Sequence, residues 1–480
     1  MRVLKNSIFL IFSKTINLVI SFLMLPILSR EFSVTDYGIY GQSLVVHSFF
    51  LAISAWGFGQ FLYVVLEKEK GSQYFSHTLK LASVFGIILA LLMTGFSTII
   101  ANWLGEPDLS IALKVFSISV VFSVVNTCLS SCYVYLNRTK QLIMIQASTN
   151  FIKVILILIA VYNEGSILSV IAVLTIIPVF QSVLMYFNQP LRIDFHDNVS
   201  EHYRYILKQA SNIGFANVLG IGFVLIDSIM IMKILGTDVY ALYRNGAIEI
   251  PVLSTIYLSV SSSVFSEISK LYEKRDISKI IELKKRVIRI LAILIYPLVV
   301  FCIFNADSLI PMYLSDKYKE SVFVFMIYSC LMFWRINDFQ DVIIVSENGN
   351  KLIKNGILII LINLGLNFLL IPLIGMEGAA LATLIANSVG FINMSLISSK
   401  ILKVGLIEYW NLYLVGSVFL VCVLIFGILH SFDISFWFLP IELFVGYLII
   451  LTLGLKMKIV SVDELKVVGS RIPVIKKLFK

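Results

Sequence analysis

Long apolar stretches recur along this chain, separated by short polar interruptions, with the spacing of membrane-crossing helices. About fourteen of them approach the roughly 20 apolar residues that a bilayer-spanning helix needs. They fall near residues 7–29, 40–65, 79–103, 111–136, 141–163, 165–187, 209–235, 241–267, 286–305, 319–342, 352–374, 377–400, 410–430 and 434–456. The polar interruptions alternate in charge. Of the 38 Lys and Arg residues, roughly three quarters lie at the two ends of the chain and in connections that follow even-numbered spans. A soluble protein has no reason to alternate this way. The positive-inside rule therefore predicts a multi-pass membrane protein with both termini in the cytoplasm.

Composition agrees and narrows the class. Hydrophobic residues make up 59% of the chain and charged residues 14%, with a mean hydropathy of +0.93, which excludes an ordinary globular domain. The net charge of +9 sits in the cytoplasmic connections, where it faces anionic lipid headgroups rather than nucleic acid. Within it, the basic run from Lys270 to Arg289 reads as a solvated, headgroup-facing surface. Cys128, Cys132, Cys302, Cys330 and Cys422 all fall in apolar spans and lack metal-ligand spacing, so they read as small buried hydrophobes. Residues 1–29 read as a retained first span rather than a cleavable signal. The longest connections, 188–208, Glu267 to Arg289 and Asn305 to Glu320, leave no room for a soluble domain.

The chain repeats itself weakly. Arg30 to Tyr40 lies ungapped over Lys233 to Tyr243, matching Tyr37 with Tyr240 and Tyr40 with Tyr243. Asn150 and Glu164-Gly165 likewise lie over Asn363 and Glu377-Gly378. The copies are six spans apart, an even number, so the halves share one orientation. This predicts an all-α integral membrane fold of about fourteen helices, with two six-helix lobes related by a pseudo-two-fold axis along the membrane normal. The lobes would be residues 1–190 and 191–403, and residues 404–480 would add two further helices and a basic cytoplasmic tail.

Polar groups at membrane depth mark the working part. An ionisable side chain at the bilayer centre costs about 2.5–3.5 kcal/mol, so it faces a bundle interior or a wet cavity. Lys14, Asn17 and Ser21 share one helical face, as do Gln146, Asn150 and Lys153. Asn217, Gly220 and Asp227 form a third stripe, Asn245 and Glu249 precede Pro251, and Asn363 and Asn367 lie one turn apart. Together they predict one polar cavity bounded by both halves. Lys14 and Lys153 either supply positive charge to an anionic group such as a phosphate or pair with acids such as Asp227 and Glu249. Asp227 and Glu249 either exchange coupling ions or serve as those partners. Arg335, Asp338 and Asp341 read as an arginine–aspartate pair within one helix. His47 has no convergent partner in the sequence, and the glycines of Gly57-Phe58-Gly59 and Gly220-Ile221-Gly222 read as close packing or flexible points. The sequence offers no nucleophile elbow, phosphate-cradling loop or metal motif, so no enzyme, cofactor or built-in ATPase is expected. Driving force would come from an ion gradient, the membrane potential or use of the product.

Several of these residues resemble a known family. Pro26 to Phe32 followed by Asp36-Tyr37-Gly38-Ile39-Tyr40 resembles the end of span 1 in bacterial polysaccharide flippases of the O-antigen and capsule type. Those proteins belong to the multidrug/oligosaccharidyl-lipid/polysaccharide exporter superfamily. Ile371 to Thr383 resembles their turn between spans 11 and 12, and Ala306 to Pro311 with Asp316-Lys317-Tyr318 resembles the loop after span 9. The resemblance implies translocation of an undecaprenyl-diphosphate-linked oligosaccharide from the cytoplasmic to the outer leaflet of the bacterial cytoplasmic membrane. It implies alternating access through a central cavity, with a polysaccharide polymerase and chain-length machinery downstream. Phe12-Ser13-Lys14 resembles the family's aromatic-Ser-basic triplet, whose basic residue faces the cavity, and Glu249-Ile250-Pro251 resembles its acid-apolar-Pro triplet. The peptidoglycan-precursor branch carries an arginine shortly before that acid, where this chain has Gly246. A drug/cation antiporter of the same superfamily would need an acid-dominated cavity. A membrane polysaccharide polymerase or ligase would need a large outer loop, and a scaffold would need neither the repeat nor the polar stripes.

Overall fold

Leu, Ile, Val and Phe fill the long runs, and in hydrocarbon a single segment can pair its own backbone only as a helix, so the runs fold as helices even where Pro178 or Pro297 lies inside them. In the computed structural model, which describes residues 20, 22–66, 71–163, 165–189, 191, 200–337, 340–432, 436–457 and 459, no strand occurs among the described residues. The elements are α1 (22–31), then α2 (Val34–Ala55), α3 (Phe58–Val65), α4 (Gly71–Leu104), α5 (Leu109–Tyr135), α6 (Thr139–Tyr162), α7 (Ile167–Asn188) and α8 (Ser200–Leu235). They continue with α9 (Thr237–Gly246), α10 (Pro251–Glu273), α11 (Ile277–Phe304), α12 (Ala306–Tyr313), α13 (Val322–Leu331) and α14 (Asp341–Val345). The last five are α15 (Gly349–Ile374), α16 (Met376–Leu402), α17 (Leu406–Trp410), α18 (Leu412–His430) and α19 (Leu439–Lys456).

Among the described residues, ten spans are long and apolar enough to cross a bilayer, and α8, bent by 44°, makes an eleventh. Three expected spans, 7–29, 241–267 and 319–342, are not among them. Most of 7–29 lies outside the described residues. Span 241–267 is divided between α9 and α10 by a break at residues 247–250. Span 319–342 ends its α-helix at Leu331, tightens into a 3-10 turn over Met332–Ile336 and then extends at Asn337 (φ −139°, ψ 141°).

The chain forms two compact units that divide between Ala241 and Leu242, inside α9. In the first, α5 packs on α4 through hydroxyls, with Thr94 donating to Ser117 at 2.8 Å and Thr98 3.2 Å from Ser110. Phe58, Phe61, Leu62, Phe75 and Tyr133 form a buried core with Cys128 and Cys132. The repeat assigns α8 to the second lobe, yet α8 packs against α2, α3 and α4 of the first unit. The two repeat copies also touch: a Cβ on Gly38 would meet Thr237 Cγ2 at 2.6 Å. There Gln42 Nε2 donates to Thr237 Oγ1 at 3.0 Å, and Thr237 donates to Glu106 at 3.0 Å.

α11 is the centre of the second unit, packed against α10, α13, α17, α18 and α19. Asp276 caps it. Hydrogen bonds from Lys279 and Ser278 hold the Asp276 carboxyl below the usual carboxylate range. Of the sequence-predicted groups, Lys14, Asn17, Ser21 and Asp338 lie outside the described residues.

Candidate functional site

In the first unit the site begins with a broken helix. Trp56 (φ 34°) and Gly57 (φ 75°) adopt left-handed backbone between α2 and α3, which glycine tolerates because it has no Cβ. The chain of α8 lies directly against this break. A Cβ on Gly57 would stand 2.7 Å from the Ala210 carbonyl, and one on Gly214 would stand 2.8 Å from the Trp56 backbone. Trp56 Nε1 donates to Ser211 Oγ at 3.1 Å, and Gly59 packs on Thr127 of α5. Gly220 and Gly222 differ from that pattern, because a Cβ there would meet nothing within 4 Å.

The break, α5 and α8 enclose an open cavity of ≈ 580 Å³ lined by Ser48, Leu51, Ala52, Ala55, Gln60, Thr127, Asn217, Gly220 and Ile221. Its polar lining is uncharged. Ser48 and Thr127 each donate their hydroxyl to a carbonyl one turn back, Leu44 at 2.7 Å and Ser123 at 3.0 Å. The oxygen lone pairs remain to accept. The amides of Gln60 and Asn217 make no hydrogen bond among the described residues. The cavity therefore offers donors and acceptors to a hydroxyl-rich ligand and no countercharge to a cation. Of the predicted residues it gathers Asn217 and Gly220. Gln60, Thr127 and Ser48 were missed in sequence, where a lone polar residue on an apolar helix gives no signal.

Lys153 lies half-buried on α6 with Gln146 and Asn150. Within the first unit no described acid pairs with Lys153, so the alternative of a partnership with Asp227 is not realised there. Asp227 is buried on α8. His47 has a partner that sequence did not reveal: its Nε2 is 2.8 Å from Ser119 Oγ, and its ring stacks on Phe116 with centroids 4.0 Å apart.

The second unit holds two ion pairs that correct the sequence reading. Arg335 pairs with Glu249, Nη2 to Oε1 at 2.8 Å, and its Cζ lies 5.3 Å from the Tyr257 ring centroid. Asp341 pairs with Lys284 at 2.6 Å. Arg335 and Asp341 do not pair within one helix, because the backbone leaves helical geometry at Asn337 and puts them on separate elements; the other acid of that stripe, Asp338, lies outside the described residues. Lys284 also leaves the solvated surface expected for Lys270 to Arg289; it is 2% exposed, with its Nζ 5.8 Å from the Tyr409 ring centroid. Asn363 and Asn367 come together as predicted neighbours, both buried. Asn363 donates to Thr383 at 3.1 Å and Asn367 to Asn363 Oδ1 at 3.2 Å, which fastens α15 to α16. Asn245 is buried on α9. Among the described residues no cluster of His, Cys, Asp or Glu could hold a metal ion.

Comparison with known proteins gives this geometry a context. The profile of a polysaccharide biosynthesis protein family matches residues 27–323. None of the curated protein sequences compared with the chain matches it significantly. Among solved structures, lipid II flippase MurJ in an inward closed conformation is similar, with a TM-score of 0.72 and 16% identity, covering 95% of this chain and 100% of that one. An inward-facing multidrug resistance MATE family transporter of the MOP superfamily has a TM-score of 0.61 at 12% identity, covering 82% and 96%. A MOP superfamily transporter from Pyrococcus furiosus has a TM-score of 0.57 at 12% identity, covering 84% and 95%. At these identities the likeness is one of fold.

Proposed function

This chain belongs to the polysaccharide biosynthesis protein family, and on that premise we propose that it is a flippase for an undecaprenyl-diphosphate-linked oligosaccharide. It would carry repeat units of a surface polysaccharide from the cytoplasmic to the outer leaflet by alternating access. The setting is the bacterial cytoplasmic membrane with both termini inside, and a polymerase and chain-length machinery would use the product.

The observation that supports this reading best is the uncharged polar cavity of the first unit. A sugar headgroup cannot cross hydrocarbon without hydrogen-bond partners, because each unpaired hydroxyl costs several kcal/mol there. Gln60, Asn217, Ser48 and Thr127 supply such partners inside a helical membrane unit. A drug cation would find no acid among the lining residues. The proposal assigns the diphosphate to Lys14 and Lys153, with Asn17, Gln146 and Asn150 beside them. Asp227 is the candidate for ion coupling. Asn245, Asn363 and Asn367 keep a supporting place, since their burial suits helix packing better than contact with a sugar.

The test is leaflet distribution in the native host, with outer-leaflet lipid-linked oligosaccharide labelled from outside. Depletion of the protein is expected to abolish the label while repeat units accumulate inside. Replacement by Asn217→Ala is expected to lower the labelling rate with expression unchanged. An undiminished label after depletion would refute the flippase reading.

A further inference from the structure

We propose that Arg335 is a further cation for the diphosphate, in addition to the lysines assigned above and carried by the second unit, with Glu249 as a built-in counterion that holds the guanidinium until the incoming anion displaces it; this rests on the flippase reading above.

Two broken spans meet at this pair. Glu249 lies in the break at residues 247–250, just before Pro251, which opens α10 and has no amide hydrogen to donate. Arg335 lies in the 3-10 turn Met332–Ile336, before the extended Asn337. The apolar stretches that hold them, 241–267 and 319–342, are of membrane-spanning length, and Glu249 and Arg335 lie inside these stretches rather than at their ends. Their 2.8 Å contact brings the two residues to one level of the unit. Irregular backbone within a membrane-spanning stretch survives only where protein buries it or where it lines a water-filled cavity.

Exposure decides between those two cases. The Arg335 and Glu249 side chains are 33% and 47% exposed, against 2% and 1% for Lys284 and Asp341. An open ion pair within a membrane-spanning stretch cannot face lipid cheaply, so it faces water. Arg335 makes one hydrogen bond among the described residues, to Glu249. A guanidinium has five donors, and a diphosphate can take two in parallel where this carboxylate oxygen takes one. Tyr257 gives the cation a second hold that does not depend on the acid. The guanidinium therefore stays in place when Glu249 leaves. The α9 helix could not supply such a cation next to the break. A Cβ at Gly246 would stand 2.6 Å from Val324 Cβ and 2.7 Å from the Ser321 carbonyl. Beside Arg335, the buried amide of Asn337 has neither its nitrogen nor its oxygen paired among the described residues.

The test uses the purified full chain in detergent with two probes, geranylgeranyl diphosphate and inorganic pyrophosphate, and reads Kd together with thermal stability. Arg335→Gln is expected to weaken both probes about tenfold or more, and Arg335→Lys by less, because the lysine keeps the charge and loses the fork. Glu249→Gln is expected to tighten both by a few-fold, since it frees the guanidinium. Those opposite signs separate an anion site from a structural bridge. The double Arg335→Gln/Glu249→Gln variant, which leaves no unpaired charge, controls for folding. Equal loss of affinity in Arg335→Gln and Glu249→Gln would overturn the proposal. So would unchanged binding in Arg335→Gln, or binding of the prenyl compound that pyrophosphate cannot displace. If the wild-type chain binds neither probe, the lipid-diphosphate reading falls with it.

Discussion

Two ion pairs of the second unit have nearly the same length and very different surroundings. Lys284–Asp341 is closed off at 2.6 Å, whereas Arg335–Glu249 is open at 2.8 Å. The first is a structural contact. Removing one partner of a buried pair leaves the other charge uncompensated, which typically costs about 3–5 kcal/mol. Lys284→Ala is therefore expected to melt well below wild type in detergent. Lys284→Met combined with Asp341→Leu should recover most of that loss, because it removes both charges. A Lys284→Ala protein with wild-type stability would show that water reaches the pair. Neither pairing was legible in the sequence. The partners are 57 and 86 residues apart, and local periodicity carries no information at that range. Asn363 and Asn367 were legible as neighbours because one helical turn separates them, but the hydroxyl of Thr383 that accepts from Asn363 came from α16.

At the scale of elements, the breaks matter more than the helices. The α2–α3 break puts Gln60 beside Asn217, and it depends on a glycine with a positive φ pressed against α8. Gly57→Ala adds strain in a disfavoured region, about 1–3 kcal/mol, and a contact with the Ala210 carbonyl that neither backbone can relieve. It is expected to lower thermal stability. Gly365→Ala in α15 is the control, since its Cβ would meet nothing within 4 Å and a helix-interior glycine is disfavoured by about 0.5–1 kcal/mol against alanine. It should leave stability unchanged or raise it. Equal destabilisation by both would contradict the close approach at Gly57. Helix existence was readable from apolar length alone. The breaks at 247–250 and 332–337 were not, because a charged residue such as Glu249 or Arg335 in an apolar run fits an intact helix with one polar position equally well, and only the packing partner selects the local backbone. Pro251 was the single visible cue, and it marks the start of α10.

At the scale of the whole molecule, the alternation of basic connections makes a prediction that needs no functional assay. The native cysteines all lie within apolar helices, so single cysteines added in connections can report sidedness. A cysteine at Lys403 is expected to react with an impermeant maleimide only from the cytoplasmic side, and one at Lys317 only from outside. The reverse pattern would invert the topology. The sequence by itself determined the membrane class, the helical fold and the approximate positions of most spans, and it carries the expectation of orientation. Each follows from a sum over local residues: apolar length against bilayer thickness, and charge per connection. It also determined which polar side chains share a helical face. What each face meets was decided only by tertiary structure. Packing placed Asn217 on a cavity, closed Asn363 and Asn367 between two helices, buried Lys284 with Asp341 and left Arg335 open with Glu249. A helical period sets the direction of a side chain relative to its own axis. The free energy of a charge or an amide depends on what the neighbouring helix puts in front of it.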